Sequence, residues 1–244
     1  MTDAVLAREL AETAGAMLLD LRARGTLSGA ALGAAGDRIA NEYLLASLRE
    51  RRPDDAILSE EAKDDPARLE QRRVWIVDPL DGTREYGEGR DDWAVHVALA
   101  IDGVACCGAV ALPALGTVHD SGAPAPLPPP VAVPRLVVSR SRPPAEATAL
   151  AEAIGGTLIP MGSAGAKAMA VLRGDADIYL HSGGQYEWDS CAPVAVARAH
   201  GLHASRIDGS ALRYNRADTY LPDLLICRPE WAERALAFVA DLSQ

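Results

Sequence analysis

Four short pieces of this chain carry oxygen donors at spacings that suit a divalent cation. They are Asp37 in AAGDRIAN, Glu60-Glu61 in ILSEEA, Asp78 and Asp81 in VWIVDPLDGT, and Asp189 in YEWDSCAPVAV. In VWIVDPLDGT an apolar run that should be buried stops at Asp78-Pro79, where the proline is expected to end the strand. Asp78 and Asp81 then lie three apart across a turn, close enough to converge. Gly82 has no side chain to obstruct a ligand. A helix starting near Thr83 would aim the N–H groups of Gly82 and Thr83 at an incoming anion. Carboxylates for a cation beside bare N–H groups for a phosphate suit phosphoryl chemistry.

Taken singly, each piece has a plainer reading. Asp189 reads as the N-cap of a small-residue helix, with Pro193 in its first turn and Gly201 ending it. A Glu-Glu pair is usually solvated, although Glu60 follows an apolar run and lies 18 residues before Asp78. Taken together the plain readings fail, because carboxylates gathered away from water repel one another unless cations hold them. Oxygen-only donors, with no His or Cys among the candidate ligands, fit Mg²⁺, or Mn²⁺, better than zinc.

The elements that must position these residues are legible from periodicity. Leu6, Leu10, Met17, Leu18 and Leu21 recur at helical spacing. Gly25 to Gly36 reads as a small, flexible stretch before a second helix from about Asp37, which Pro53 ends. Ala56-Ile57-Leu58 and Val74 to Val77 are short buried strands that stop at acids. Trp93 to Ile101, the turn Asp102-Gly103, and Val104 to Leu112 form a hairpin. The proline-rich Pro124 to Pro134 excludes helix and interior strand. The expected division is residues 1–134, helices on a largely antiparallel sheet, and residues 135–244, an α/β unit that supplies Asp189. In the second unit strands are expected at Leu136–Val138, Thr157–Pro160, Ala176–His181 and Leu224–Cys227. Helices are expected at Ala145–Ile154, Ala164–Arg173, Ser190–His200 and Glu230–Leu242.

Composition narrows the partners. The net charge of −10 argues against a nucleic-acid polymer or an anionic membrane surface, though bound cations would still admit a phosphorylated metabolite. No apolar run approaches the roughly 20 residues that cross a bilayer. The first 25 residues have helical rather than signal-peptide spacing. Cys106, Cys107, Cys191 and Cys227 lack zinc spacing and read as buried thiols of a reducing cytoplasm.

These motifs resemble those of the inositol monophosphatase superfamily of magnesium-dependent phosphatases: a Glu-Glu pair after a strand, then D-P-[IL]-D-G-T, then W-D-x-[AS]-A. All three occur here in order. DPLDGTREY with SEEA upstream is most similar to the CysQ branch, the 3′(2′),5′-bisphosphate nucleotidases. The resemblance implies a layered α-β-α-β-α sugar-phosphatase fold of the α/β (α+β) class. It implies two or three Mg²⁺ ions, held by Glu60, Asp78, Asp81, Asp189 and the Leu80 carbonyl. It implies that Thr83, paired with Glu60 or Asp37, activates water, and that the Gly82 and Thr83 amides hold the phosphate. Glu60, Leu80, Asp81 and Asp189 would line the substrate site as well, with Lys167 near the nucleotide or its second phosphate. Lithium sensitivity and a homodimer are further implications.

Three departures bear on substrate choice. LGAAGD lacks the hydroxyls usual before the position of Asp37, SAGA stands where a serine-rich stretch precedes Lys167, and His200-Gly201 replaces a double glycine. The expected reaction is removal of the 3′-phosphate of 3′-phosphoadenosine 5′-phosphate, giving AMP and phosphate. The alternatives are the same chemistry on inositol 1-phosphate or fructose 1,6-bisphosphate, or a phosphometabolite-binding protein without turnover. Arg84, Lys167 and Arg213 are candidates to neutralise a far phosphate, and Tyr186, Trp188 or Tyr214 to stack on adenine.

Overall fold

A computed structural model of the protein describes residues 1–242. Five layers stack in the order helix, sheet, helix, sheet, helix. The outer helices α1 (Asp3–Ala23) and α2 (Gly29–Arg51) lie on a first sheet. Its strands are β1 (Ala56–Ser59), β2 (Arg73–Asp81), β3 (Ala94–Ile101), β4 (Val104–Leu112) and β5 (Thr117–Asp120), paired in that order. The β1–β2 pair is parallel and the others antiparallel. A short helix α3 (Thr83–Gly87) follows β2 directly.

The second sheet has the order β7-β6-β8-β10-β9. It comprises β6 (Arg135–Ser139), β7 (Thr157–Met161), β8 (Ile178–Tyr186), β9 (His203–Ser205) and β10 (Tyr220–Cys227). Helices α5 (Ala164–Arg173) and α6 (Glu187–Ala199) fill the gap between the sheets, while α4 (Ala145–Ile154) and α7 (Pro229–Leu242) cover the far face. Pro124 to Pro134 forms neither helix nor strand. The layered α/β fold expected from the motifs is therefore the one observed.

Alternation along β3 shows how one strand serves two layers. Trp93, Val95, Val97 and Leu99 pack toward α1 and α2, while Ala94, Ala98 and Ala100 face α5 and α6. The second face is built from small residues, so the middle helices approach closely: a Cβ on Gly108 of β4 would sit 3.2 Å from Ala192 Cα on α6.

Five elements have bounds that differ from expectation. Helix α2 begins at Gly29 rather than near Asp37, so the stretch expected to be flexible is helical. Glycine in a helix interior costs about 1 kcal/mol against alanine, but here it permits contact. A Cβ on Gly33 would lie 2.7 Å from Thr83 Cγ2, and one on Gly36 2.9 Å from a Leu80 methyl. Strand β2 runs through Pro79 to Asp81 instead of stopping at the proline. Helix α6 starts at Glu187, so Asp189 is its third residue rather than its cap and Pro193 lies in its second turn. Strands β8 and β10 are longer than expected, reaching Tyr186 and starting at Tyr220.

The cysteines also differ in part. All four are free thiols, but Cys106 is exposed and Cys107 half-buried, because adjacent residues of β4 face opposite sides; Cys191 and Cys227 are buried as expected.

Candidate metal and phosphate site

The bulge in β2 explains why two aspartates three apart share one site. Asp78 pairs with His96 on β3 and Asp81 with Ala94, so three steps on β2 oppose two on β3. In a regular strand residues three apart face opposite sides; the extra residue turns Asp81 back to the side of Asp78. The Leu80 N–H donates to Asp78 Oδ1 at 3.1 Å and fixes the corner.

Asp189 reaches this corner from the first turn of α6, the helix that follows β8 of the second sheet. Its carboxylate accepts the Tyr186 N–H at 2.7 Å, which sets its direction at the start of α6. Asp78, Asp81 and Asp189 each present an oxygen, and the three atoms lie within 4.8 Å of one another. Three oxygen donors that close, two of them buried, suit a hard divalent cation and are costly without one.

Glu60 stands at the rim, reached by solvent from one side while protein and other acids crowd its carboxylate from the other. Its carboxylate and that of Asp78 act on each other, and burial and the neighbouring acids oppose ionisation of both. Burial and then Asp189 push Glu60 up to about 7. Burial and then Asp81 push Asp189 up to about 7 as well. Asp78 is raised well above the carboxylate range, by burial first and Glu60 second.

Asp81 behaves oppositely. Burial works to raise its pKa, but His96, Lys167 and Ser163 overcome this and hold it well below the usual range. Its carboxylate sits on the N-terminus of α5, accepting from Ala164 N at 3.1 Å, Gly165 N at 2.6 Å and the Ser163 hydroxyl. One residue of the first sheet thus caps a helix that packs against the second. Ser163, a displaced serine with no clear part in the motif, is that helix's N-cap and a donor to Asp81.

Thr83 follows Gly82, which takes a left-handed conformation at φ 90°. The Thr83 hydroxyl lies 3.2 Å from Asp37 Oδ1 and 3.0 Å from the Leu80 carbonyl. Its partner is therefore Asp37 rather than Glu60. Asp37 is pushed up to about 7, by burial first and Glu61 second. A cavity of about 530 Å³ lined by Gly29, Ala34, Asp37, Thr83 and Arg84 opens beside this pair.

Other candidates sort by exposure. Lys167 is buried, its ammonium donating to the Gly162 and Ser163 carbonyls, and burial lowers its pKa. Arg84 is exposed and paired with Glu88, and Arg213 is exposed. Tyr214 is buried with its hydroxyl 3.2 Å from Ser190 Oγ, so it is not available to stack on a base. Tyr186 is 42 % exposed and stacked on Trp188, with ring centroids 5.0 Å apart and planes 10° from parallel.

Two buried polar residues at the site went unnoticed in the sequence. Glu187 accepts the Asn215 and Arg216 N–H groups and ties the start of α6 to that turn. His96 lies between Asp81 and the Trp188 carbonyl. Its signal was a polar residue in the small-residue face Ala94, Ala98, Ala100 of β3.

The raised carboxylates give a pH dependence to the metal-free protein. The folded chain holds Glu60, Asp189 and Asp37 protons up to about 7, whereas the unfolded chain releases them near 4. Their contribution to stability is complete below the unfolded value and lost as pH rises through the folded one. The melting temperature in EDTA should therefore fall between about pH 5 and pH 8, and Mg²⁺ should raise it more at the higher pH. Equal Mg²⁺-induced shifts at both pH values would contradict the clustering of these acids.

Comparison with known proteins places this geometry. The model of the inositol monophosphatase family matches residues 4–124 and 131–244. A 3′-phosphoadenosine 5′-phosphate phosphatase of Mycobacterium leprae is 50% identical, covering 100% of this chain and 96% of the relative. The protein of the same name from Mycobacterium tuberculosis is 52% identical, covering 93% and 90%. Among solved structures, CysQ from Bacteroides thetaiotaomicron superposes with a TM-score of 0.79 at 27% identity, covering 93% of this chain and 97% of that one. With the motifs, the layered fold and the full-length likeness in agreement, the chain belongs to the inositol monophosphatase family.

Proposed function

We propose that the protein is a Mg²⁺-dependent phosphatase that removes the 3′-phosphate of 3′-phosphoadenosine 5′-phosphate. The observation that carries the chemistry is the convergence of Asp78 and Asp81 of β2 with Asp189 of α6, beside Thr83 at the start of α3. The Mycobacterium relatives of that name, alike over nearly the whole chain, support the substrate.

Glu60, Asp78, Asp81, Asp189 and the Leu80 carbonyl would hold two or three Mg²⁺ ions, with Mn²⁺ able to replace them. Bound there, the cations supply Lewis acidity toward phosphate oxygens and make water a stronger nucleophile near neutral pH. The chain's own residues do the rest. Asp37 accepts from the Thr83 hydroxyl, so that as the Thr83 oxygen takes a proton from the attacking water its own proton passes to the Asp37 carboxylate. The water oxygen forms a bond to phosphorus as the bond to the ribose O3′ breaks, and O3′ leaves with the bonding pair and takes its proton from solvent water. The Gly82 and Thr83 N–H groups, at the left-handed entry to α3, face the phosphate oxygens.

The exposed Tyr186 ring supports a nucleotide over an inositol. Trp188 stacks behind it and Tyr220 abuts it at 5.9 Å, so the ring is held beside Asp189 at little entropic cost to a stacking base. Arg84 and Arg213 are the exposed cations available to a second phosphate, whereas Lys167 acts from beneath through Asp81. A cytoplasmic location, a homodimer and inhibition by Li⁺ belong to the same proposal. No described helix is long and apolar enough to cross a membrane.

Phosphate release from a substrate panel tests the reading. The expected outcome is Mg²⁺-dependent turnover with kcat/KM for the nucleotide bisphosphate at least tenfold above inositol 1-phosphate and fructose 1,6-bisphosphate. Equal or better turnover of inositol 1-phosphate would refute the nucleotide assignment, and binding without release would refute the enzyme.

A further inference from the structure

His96 is completely buried in the middle of β3, yet one ring nitrogen faces a candidate metal ligand and the other the main chain beside a second. Nδ1 lies 3.0 Å from the carbonyl oxygen of Trp188, the residue before Asp189. Nε2 lies 3.2 Å from Asp81 Oδ2, an ion-pair contact without hydrogen-bond alignment, and has no other partner. Across the ladder its Cα partner is Asp78. One side chain therefore touches or adjoins all three acids, and it does so across the gap between α6 and the first sheet.

The surroundings are built to admit it. A Cβ on Gly165 of α5 would stand 2.1 Å from His96 Nε2, so any other residue there would displace the ring. Its neighbours on the same face of β3 are alanines, which leave the imidazole the one long side chain reaching toward α6. A histidine kept for packing needs neither the glycine opposite nor two acceptors on separate elements.

We infer that His96 is a positioning residue that fixes the separation of Asp81 and Asp189, by bracing the β2 corner against the first turn of α6. Asp81 Oδ2 already accepts from Ser163 and Gly165 and lies against His96 Nε2, so its Oδ1, with the single donor Ala164 N, is the oxygen left to face a cation. Without the brace, α6 is free to settle away from the corner, and the pocket shared by Asp81 and Asp189 loosens. The inference rests on the reading of these acids as metal ligands.

The experiment measures Mn²⁺ binding to the substrate-free protein by electron paramagnetic resonance, alongside the Mg²⁺ dependence of phosphate release. His96→Leu keeps the volume and removes both polar contacts; Gly165→Ala keeps the histidine and pushes it aside. Both variants should lose about 10- to 100-fold in affinity for at least one Mn²⁺, as loss of a residue supporting ligands does. The Mg²⁺ concentration for half-maximal activity should rise in parallel, with KM for substrate at saturating Mg²⁺ within about threefold of wild type. Should His96→Leu fail to fold, Gly165→Ala alone decides. Wild-type Mn²⁺ affinity in a folded variant, even with a lowered melting temperature, would make His96 a packing residue and overturn the inference. No Mn²⁺ binding by the unaltered protein would overturn the metal-site reading and the inference with it.

Discussion

Asp78→Asn is expected to lower kcat/KM by at least about 10³-fold, roughly 4 kcal/mol of transition-state stabilisation, while leaving the metal-free protein no less stable. The two effects separate because the site is electrostatically loaded. Asp78 is buried among Glu60, Asp81 and Asp189, and its own ionisation is opposed by all of them. An amide stands in for the neutral carboxyl that these neighbours enforce without metal and keeps the oxygen that accepts the Leu80 N–H at 3.1 Å, so the β2 corner survives. What it loses is the anionic oxygen that divalent cations require. Steady-state kinetics over a range of Mg²⁺, with melting curves in EDTA, check both halves. A variant that kept a tenth of wild-type activity would remove Asp78 from the metal site.

The second large effect is expected at Thr83. Thr83→Ala should lower kcat about 10²-fold, the lower end of what a positioned proton acceptor supplies, with KM nearly unchanged. The hydroxyl, poised between Asp37 and the Leu80 carbonyl, is the one proton-handling group of α3 aimed into the corner. Thr83→Ser should restore most of the rate, because it keeps the oxygen and gives up only the methyl that lies over Gly33. Asp37→Asn should cost a similar factor, and the double variant little more than either alone, as for groups acting through one hydrogen bond. Additive losses would show that Asp37 and Thr83 act separately.

The acids that converge at the corner stood out by their place in short motifs, and most strands and helices by their local periodicity, while the layer order came from the resemblance of the motifs. What was not readable depended on contacts between distant segments. The glycines of GAALGAAG read as flexible, since nothing in that stretch says that Thr83, Leu80 and Tyr86 press against Gly33 and Gly36. The continuation of β2 through Pro79 needed the pairing of Asp81 with Ala94, and the bulge that makes it possible is a property of two strands. The early start of α6 followed from the Asp189 carboxylate accepting the Tyr186 N–H, a reach backward that a search for a capping residue misplaces. His96 looked like one more member of an apolar strand. Only the sheet register and the approach of α5 show that its ring spans a gap.

The thin middle layer has a consequence for where harmful substitutions fall. Gly108 meets the α6 backbone at Ala192, and Ala98 faces the same gap, so the distance between the sheets is gauged by the bulk of a few tiny residues. Asp81 belongs to one slab and Asp189 rides on the shim between the slabs. Enlarging any of these residues drives a wedge under α6, and the aperture for the cations widens although nothing near the phosphate has been touched.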